Sequence, residues 1–128
     1  MNKRGFTLIE TIISLTFAGL LVSLFFVQKS NLDASTRDET RKAAINAMYF
    51  ALEQDFYQVH GYYPESISAT NLPTVSPALW TDPSGFPLGM PESSYHYTPA
   101  NCVNGKCREY RLTATLEKES LFTRSNSH

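Results

Sequence analysis

Glu10 is the residue whose chemical role most needs an explanation, because it lies inside an apolar run. It is the single charged side chain between Phe6 and Val27, and the run holds no Lys, Arg or His to pair with it. A carboxylate at this depth in a bilayer costs about 2.5–3.5 kcal/mol. A positive partner arises only if the chain is cut after Gly5, which frees the α-amino group of Phe6 one helical turn away. That amine would neutralise Glu10 in its own chain or in a neighbouring one. The alternative is a carboxylic acid that is simply protonated in lipid.

Cys102 and Cys107 form the second set of residues with a chemical meaning. They flank Asn104-Gly105, the dipeptide typical of two-residue hairpin turns. With these two residues as the turn, the cysteines oppose each other in a non-hydrogen-bonded pair, where Cα atoms lie about 4.5 Å apart. That distance permits a disulfide. A redox or metal pair is the alternative, but the absence of another Cys or of clustered His favours a structural bridge.

No other set of residues predicts an active site. His60, His96 and His128 are scattered, and the chain has no G-x-S-x-G, no H-E-x-x-H and no phosphate-binding glycine loop. Asp82 is the one aspartate of the Pro-rich segment, and a single carboxylate cannot hold calcium. We therefore expect no enzyme activity, no catalytic or metal-binding residue and no cofactor.

The apolar run itself predicts the first structural element. As a helix, Phe6–Val27 is about 33 Å long, which matches a hydrocarbon core of about 30 Å. Lys3 and Arg4 precede the run, which predicts a cytoplasmic N-terminus and export of the remainder. A secretory signal has a shorter apolar region followed by a small-residue cleavage site, whereas here the small residue, Gly5, comes before the run. A chain of 128 residues is too small to surround such a helix in a soluble core.

The string K-R-G-F-T-L-I-E at Lys3–Glu10 resembles the processing site of type IV prepilins and of the pseudopilins of type II secretion and competence systems. The resemblance implies that a prepilin peptidase cuts between Gly5 and Phe6 and methylates the new amine. It implies that Glu10 then meets the Phe6 amine of a neighbouring subunit during assembly. The precursor would be a single-pass protein of the inner (cytoplasmic) membrane, and the product an extracellular helical filament of many copies. Further implied partners are an assembly platform and minor pilins, and the implied roles are adhesion, twitching motility, DNA uptake or secretion.

The helix is expected to continue beyond the membrane to about His60, because no Gly or Pro occurs between Val27 and Gly61. A core-facing stripe at 3-4 spacing comprises Ile45, Met48, Leu52, Phe56 and Val59. An opposite face comprises Leu32, Ala43, Ala47, Phe50 and Tyr57. This second face predicts either contact with neighbouring subunits or cover by loops of the same chain. The polar segment Asn31–Thr40 is expected to fray or to act as a flexible neck, and Gly61 to end the helix.

The sequence predicts an α+β fold of pilin-like layout, in which a long N-terminal helix, half membrane-spanning and half amphipathic, packs on a small antiparallel sheet. The expected parts are a leader 1–5, a filament-core helix 6–30 and a head 31–128. After the helix, the head would have a Pro-rich loop 61–92 anchored by Trp80, a β-hairpin 94–118 and a polar tail 119–128. A third strand is needed for a stable sheet and is expected from either the loop or the tail, but no pattern locates it.

The hairpin register follows from the Asn104-Gly105 turn. It pairs Tyr95 with Ala114, Tyr97 with Leu112 and Pro99 with Tyr110 on one face, and His96 with Thr113 and Thr98 with Arg111 on the other. The cysteines share the second, outer face unless a bulge shifts the parity.

Charge argues against nucleic acid as a partner. The 11 basic and 12 acidic side chains give a formal charge of −1, whereas DNA binding rests on many phosphate contacts. Lys106, Arg108 and Arg111 near the hairpin are the one local basic cluster, and a solvated strand face is the favoured explanation for it. The rival to a filament subunit is a membrane-anchored extracytoplasmic binding module or enzyme. It explains the apolar run but leaves Glu10 and the reversed cleavage signal without a cause.

Overall fold

The computed structural model describes residues 5–128, so Lys3, Arg4 and the rest of the predicted leader before Gly5 lie outside the described residues. The chain divides into two compact units, Met1–Ala34 and Ser35–His128. Within its described part, the first unit is helical from Leu8 onward. The second unit contains the sheet and every residue of the hydrophobic core.

The predicted long helix is present and has three stretches. They are α1, Leu8–Phe50; a π-helical segment, Ala51–Phe56; and α2, Tyr57–His60. The end at Gly61 is confirmed: this glycine has φ 72° and its N–H donates to the Tyr57 carbonyl at 2.8 Å. The left-handed conformation costs a glycine little, which is why glycine commonly follows a helix.

The helix begins at Leu8 rather than at the predicted Phe6 because Thr7 caps it. The Thr7 carbonyl accepts the N–H of Thr11 at 3.1 Å, and its side-chain oxygen accepts the N–H of Glu10 at 3.3 Å. A residue in this position lies half outside the helix, so the residue before it is not helical. Phe6 is therefore not one turn from Glu10 along the same helix.

The sheet has four antiparallel strands, namely β1 Tyr63–Pro64, β2 Tyr95–Val103, β3 Lys106–Ala114 and β4 Phe122–Ser125. β2 pairs with one edge of β3, while β1 and β4 pair with the beginning and the end of its other edge. The predicted α+β fold is confirmed. β1 lies within the predicted loop and β4 within the predicted tail 119–128, where β4 occupies the backbone hydrogen-bonding groups at that edge of β3.

The predicted hairpin register is confirmed at every pair named above. Asn104 (φ 52°) and Gly105 (φ 78°) form the turn, as a two-residue hairpin with positive φ at both positions requires. The ladder skips Asn101, which has φ 53°. The register is the same on both sides of this gap, but the burial pattern of β3 is not strictly alternating: Cys107 is buried on one side of it, and Tyr110, Leu112 and Ala114 on the other. Cys107 is fully buried opposite Tyr63, so the expectation of an outer-face disulfide is wrong for this cysteine.

Helix and sheet enclose one core within the second unit. Ile45, Met48 and Leu52 of the predicted stripe are fully buried and Phe56 is half-buried. The prediction is wrong for Val59, which is 78% exposed. A π-helical turn holds more residues than an α-helical one, so positions beyond it rotate away from the stripe. Among the loop residues, Trp80 packs half-buried against this core.

Candidate functional site

The apolar part of the first unit is exposed on all sides. Its large side chains from Leu8 to Val27 are 54–78% exposed. The helix is long and apolar enough to cross a membrane, by length and composition alone. A soluble monomer rarely leaves more than a few hundred Å² of contiguous apolar surface in water. Such a surface is typical of helices that contact lipid or other protein.

Hydroxyl groups along this helix are satisfied internally. The side chains of Thr11, Thr16 and Ser23 donate to backbone carbonyls three or four residues earlier, at 3.3, 2.9 and 2.8 Å. Such bonds let a hydroxyl face an apolar medium without an unpaired donor. The carboxylate of Glu10 has no comparable partner in the described part of the chain. Among residues 5–128 no side chain forms a hydrogen bond or ion pair with its carboxylate.

The predicted processing and assembly residues lie at the start of the helix. Gly5 and Phe6 precede it and are exposed, so a protease could reach the bond between them. Glu10 lies in the first turn, where the positive end of the helix dipole favours a carboxylate. With Thr7 it also forms the T-x-x-E pattern of a capping box. The structure shows one half of this motif, the bond from the Glu10 N–H to the Thr7 side-chain oxygen.

A polar cluster, which we call the polar clamp, ties the helix of the second unit to the sheet and its loops; its outermost member, Glu117, has a side chain that is 35% exposed. It comprises Asp38, Arg41, Asp82, Ser94 and Glu117. Asp38 is only 2% and Arg41 only 4% exposed. Arg41 Nη1 donates to Asp38 Oδ1 at 2.9 Å and to Glu117 Oε1 at 2.8 Å. Arg41 Nε donates to Ser94 Oγ at 3.3 Å, and that hydroxyl donates to Asp82 Oδ2 at 2.7 Å.

The clamp carboxylates are held in their charged forms. Burial alone would raise the pKa of Asp38, but the backbone N–H groups of Glu117 and Lys118, at 2.8 and 2.9 Å, and the Arg41 guanidinium outweigh it. The pKa of Asp38 is therefore below its ordinary value. Arg37 and Arg41 lower the pKa of Glu117 to about 2.

The pKa of Asp82 is also below its ordinary value. Burial would raise it, but the hydrogen bonds that the carboxylate accepts outweigh that effect. Its Oδ1 accepts the backbone N–H groups of Ser84 and Phe86 at 2.9 Å. Its carboxylate thus organises the loop rather than a cation. Asn31–Thr40, predicted to fray, is helical throughout as part of α1, and the burial of Asp38 explains why its second half is fixed.

Glu53 is a further buried carboxylate, outside the polar clamp, that sequence reasoning missed. The π-helical segment places it in the core, where Oε1 accepts the hydroxyls of Tyr110 at 2.8 Å and Tyr63 at 3.0 Å. Oε2 accepts the hydroxyl of Ser127 at 2.6 Å. Burial, and then hydrogen bonding to Glu53, raises the pKa of both tyrosines, so their hydroxyls stay protonated. The carboxylate is occupied by its own chain, which indicates a structural role.

Cys102 and Cys107 form a disulfide with Cα atoms 3.9 Å apart, and it braces the hairpin next to the turn.

The helix face predicted to lie opposite the core-facing stripe is covered in part by the tail of the same chain. The ring of Tyr57, a residue of this face, stacks on His128 at 4.6 Å and on Tyr63 at 4.9 Å. Phe50 remains about half exposed. Cover by the same chain, one of the two alternatives for this face, therefore holds for Tyr57.

Within the described range 5–128, no group of three or more His, Cys, Asp or Glu side chains is placed to hold a metal ion. Comparison of the chain with protein-family models, with curated proteins and with solved structures finds no match.

Proposed function

We propose that the protein is a structural subunit, a pilin, of a type IV pilus-like filament, cut between Gly5 and Phe6 and assembled through its N-terminal helix. The observation that carries the proposal is Glu10. It is a carboxylate without a partner among residues 5–128, at the start of a helix whose apolar side chains are exposed on all sides. The K-R-G-F-T-L-I-E resemblance supports the same conclusion.

Two physical requirements fit this proposal. The apolar helix needs lipid around it before assembly and the helices of other copies afterwards, since water is unfavourable in both states. A carboxylate taken into that apolar layer needs an opposite charge. The amine freed by a cut before Phe6 supplies one per subunit. The protein is then a single-pass membrane precursor that becomes part of a surface filament.

The first test is the intact mass of the protein recovered from sheared filaments and from membranes of the native host. A mass that lacks Met1–Gly5 and carries one extra methyl group is expected in both fractions. Recovery from membranes with little in the sheared fraction would favour a pseudopilin of a secretion or competence system. Full-length protein found in membranes alone would contradict the proposal and favour an anchored binding module.

The second test separates the charge of Glu10 from its position in the helix cap. Glu10→Gln keeps a residue that a capping box accepts but cannot neutralise an amine. We expect this variant to be cut and methylated but absent from filaments. Glu10→Asp retains the charge, and Glu92→Gln removes an exposed charge from the head, so both should assemble better than Glu10→Gln. Normal filament yield from Glu10→Gln would refute the role given to the carboxylate.

A further inference from the structure

A cleft on the second unit lies beside the end of the helix and the tip of the β2–β3 hairpin, and we call it the hairpin cleft. Its volume is about 690 Å³, within the range of about 300–1,000 Å³ found for small-molecule sites. The residues that matter for recognition are Tyr57, Tyr62, Asn101, Asn104, Lys106 and Arg108. No Asp or Glu is among the lining residues, all of which belong to the described part of the chain.

In the described part of the chain, Lys106 and Arg108, the two cations of the hairpin cleft, lack the salt bridges that several other cations of the second unit form. Arg37, Arg41 and Lys42 each form a salt bridge with a carboxylate of the same chain. Within residues 5–128 the side chains of Lys106 and Arg108 form neither a hydrogen bond nor a salt bridge. Lys106 lies on the Tyr62 ring instead, with Nζ 5.0 Å from the centroid. Two cations in a concave surface that is lined by no Asp or Glu side chain of the described residues create a positive potential there, whereas Glu109, next to Arg108 in the chain, lines an adjoining cleft.

The aromatic rings of the cleft are already engaged. Tyr57 stacks on both Tyr63 and His128, and Tyr62 contacts Phe56 by its edge at 5.7 Å as well as Lys106. Nucleobases bind proteins by stacking on ring faces that are free to receive them. The groups that remain available here are the two cations and the side-chain amides of the hairpin tip, which donate hydrogen bonds to oxygen.

The hairpin tip fixes the backbone that carries these donors before any ligand arrives. The Cys102–Cys107 disulfide closes the hairpin beside the turn, and Asn101 and Asn104 each have a positive φ, at 53° and 52°. Lys106 and Arg108 are two residues apart on β3 and both line the cleft. A site whose donors are fixed in advance loses less entropy on binding.

We propose that the hairpin cleft binds the oxyanion group, a carboxylate or a phosphate, of a compact anionic ligand, with Lys106 and Arg108 as its anchoring cations. This ligand site goes beyond the structural role proposed above and does not depend on assembly. Bonds between a charged donor and an oxyanion are about twice as strong as neutral ones, which is why these two side chains would dominate the affinity.

The test is calorimetric titration of the full chain in non-ionic detergent at low salt. The probes are galacturonate, its neutral counterpart galactose, inorganic phosphate and a short oligothymidylate. We expect heat of binding with galacturonate, with phosphate or with both, and none with galactose. Binding of galacturonate alone would identify an acidic sugar as the source of the oxyanion, and binding of phosphate alone a phosphate ester.

Three variants locate the site. Lys106→Gln and Arg108→Gln should each weaken binding on the order of tenfold, as expected for loss of a charge-assisted bond. Arg111→Gln is the matched control, because Arg111 is an exposed cation of the same strand outside the cleft. Its affinity should stay within about twofold of the parent. The proposal is overturned if neither anion binds at about 10 mM, if Arg111→Gln weakens binding equally, or if oligothymidylate alone binds. None of these results bears on filament assembly, since the unassembled chain is measured.

Discussion

Replacement of Asp38 by alanine is expected to lower the free energy of unfolding of the second unit by about 3–5 kcal/mol. This side chain is 98% shielded from solvent, being only 2% exposed, and accepts the backbone N–H groups of Glu117 and Lys118. An unpaired buried donor costs about 1–3 kcal/mol. Because these two amides are only partly buried, we take about 1 kcal/mol for each.

The remaining cost comes from Arg41, which is only 4% exposed and loses one of its two carboxylate partners. Breaking a buried ion pair by removing one partner costs about 3–5 kcal/mol in general. Glu117 stays in place and compensates part of this loss, so about 1–3 kcal/mol is added to the cost of the amides. Small domains have about 5–15 kcal/mol of stability in total, so a large fraction of it would disappear.

The matched control is Glu39→Ala, the adjacent acidic residue of the same helix. Its side chain is 69% exposed and forms a salt bridge with Lys42 at 3.2 Å. Exposed pairs contribute about 0–1 kcal/mol, so this variant should unfold almost like the parent. The two variants remove the same charge one residue apart, which separates the effect of burial from the effect of net charge.

The measurement is denaturant unfolding of the head, residues 31–128, followed by the fluorescence of Trp80. This is the single tryptophan and packs half-buried against the core, so its emission reports on tertiary structure. The midpoint should fall for Asp38→Ala at an unchanged slope. Asp38→Asn, which keeps one acceptor oxygen, should lie between alanine and the parent. Equal midpoints for Asp38→Ala and Glu39→Ala would refute the role assigned to the polar clamp.

Three further outcomes are expected. The clamp carboxylates have lower pKa values in the folded state than in the unfolded state, so their contribution to the stability of the fold is complete above the unfolded pKa and declines as the pH falls. For Glu117 this decline runs from pH 4.5 to about 2. An acid titration of the unfolding midpoint should show the decline, and Asp38→Ala should flatten it. Reduction of the Cys102–Cys107 disulfide should lower the free energy of unfolding by about 2 kcal/mol, with no effect of reductant on a Cys102→Ser variant. Glu53→Ala should cost about 2–4 kcal/mol because two buried tyrosine hydroxyls lose their acceptor, whereas Glu53→Gln, which keeps an oxygen, should cost under about 1 kcal/mol in the same denaturation assay.

The features that sequence predicted well are those with local causes. Gly61 ends the helix because its own backbone accepts the left-handed conformation. Asn104 and Gly105 set the register of the whole β2–β3 hairpin because a two-residue turn leaves a single pairing. In both cases the determining residues lie inside the element that they control, so a short stretch of sequence was sufficient.

The features that sequence could not predict depend on residues far apart in the chain. Asp38 and Glu117 meet through Arg41 across the fold, and nothing in the sequence next to Asp38 indicates that this aspartate is buried. β1 is two residues long and consists of Tyr63-Pro64, which is too short for any alternation to be visible. The tail is also paired by distant partners, since Ser127 reaches Glu53 in the helix.

The predicted burial of Val59 and exposure of Cys107 were wrong for a different reason, which is a local change of period. The predicted helix stripe assumed 3.6 residues per turn throughout, and the π-helical segment Ala51–Phe56 breaks that period just before Val59. The predicted faces of β3 assumed strict alternation, and the burial pattern departs from it between Cys107 and Tyr110, opposite the irregular ladder position at Asn101. Periodic patterns are reliable up to such an interruption and misplace the residues beyond it.

The two units meet separate physical requirements, and this bears on the proposed assembly. The core of the second unit begins at Ala44 and its polar clamp at Asp38, so both belong to that unit alone. The surroundings of the apolar helix can then change from lipid to protein while the head stays folded. Apolar helices that pack together have weak preferences for register, whereas one buried polar group at a defined position restricts the choice, as in coiled coils. Under the proposed function, Glu10 is that group, and its pairing with a freed amine would favour one axial register between subunits.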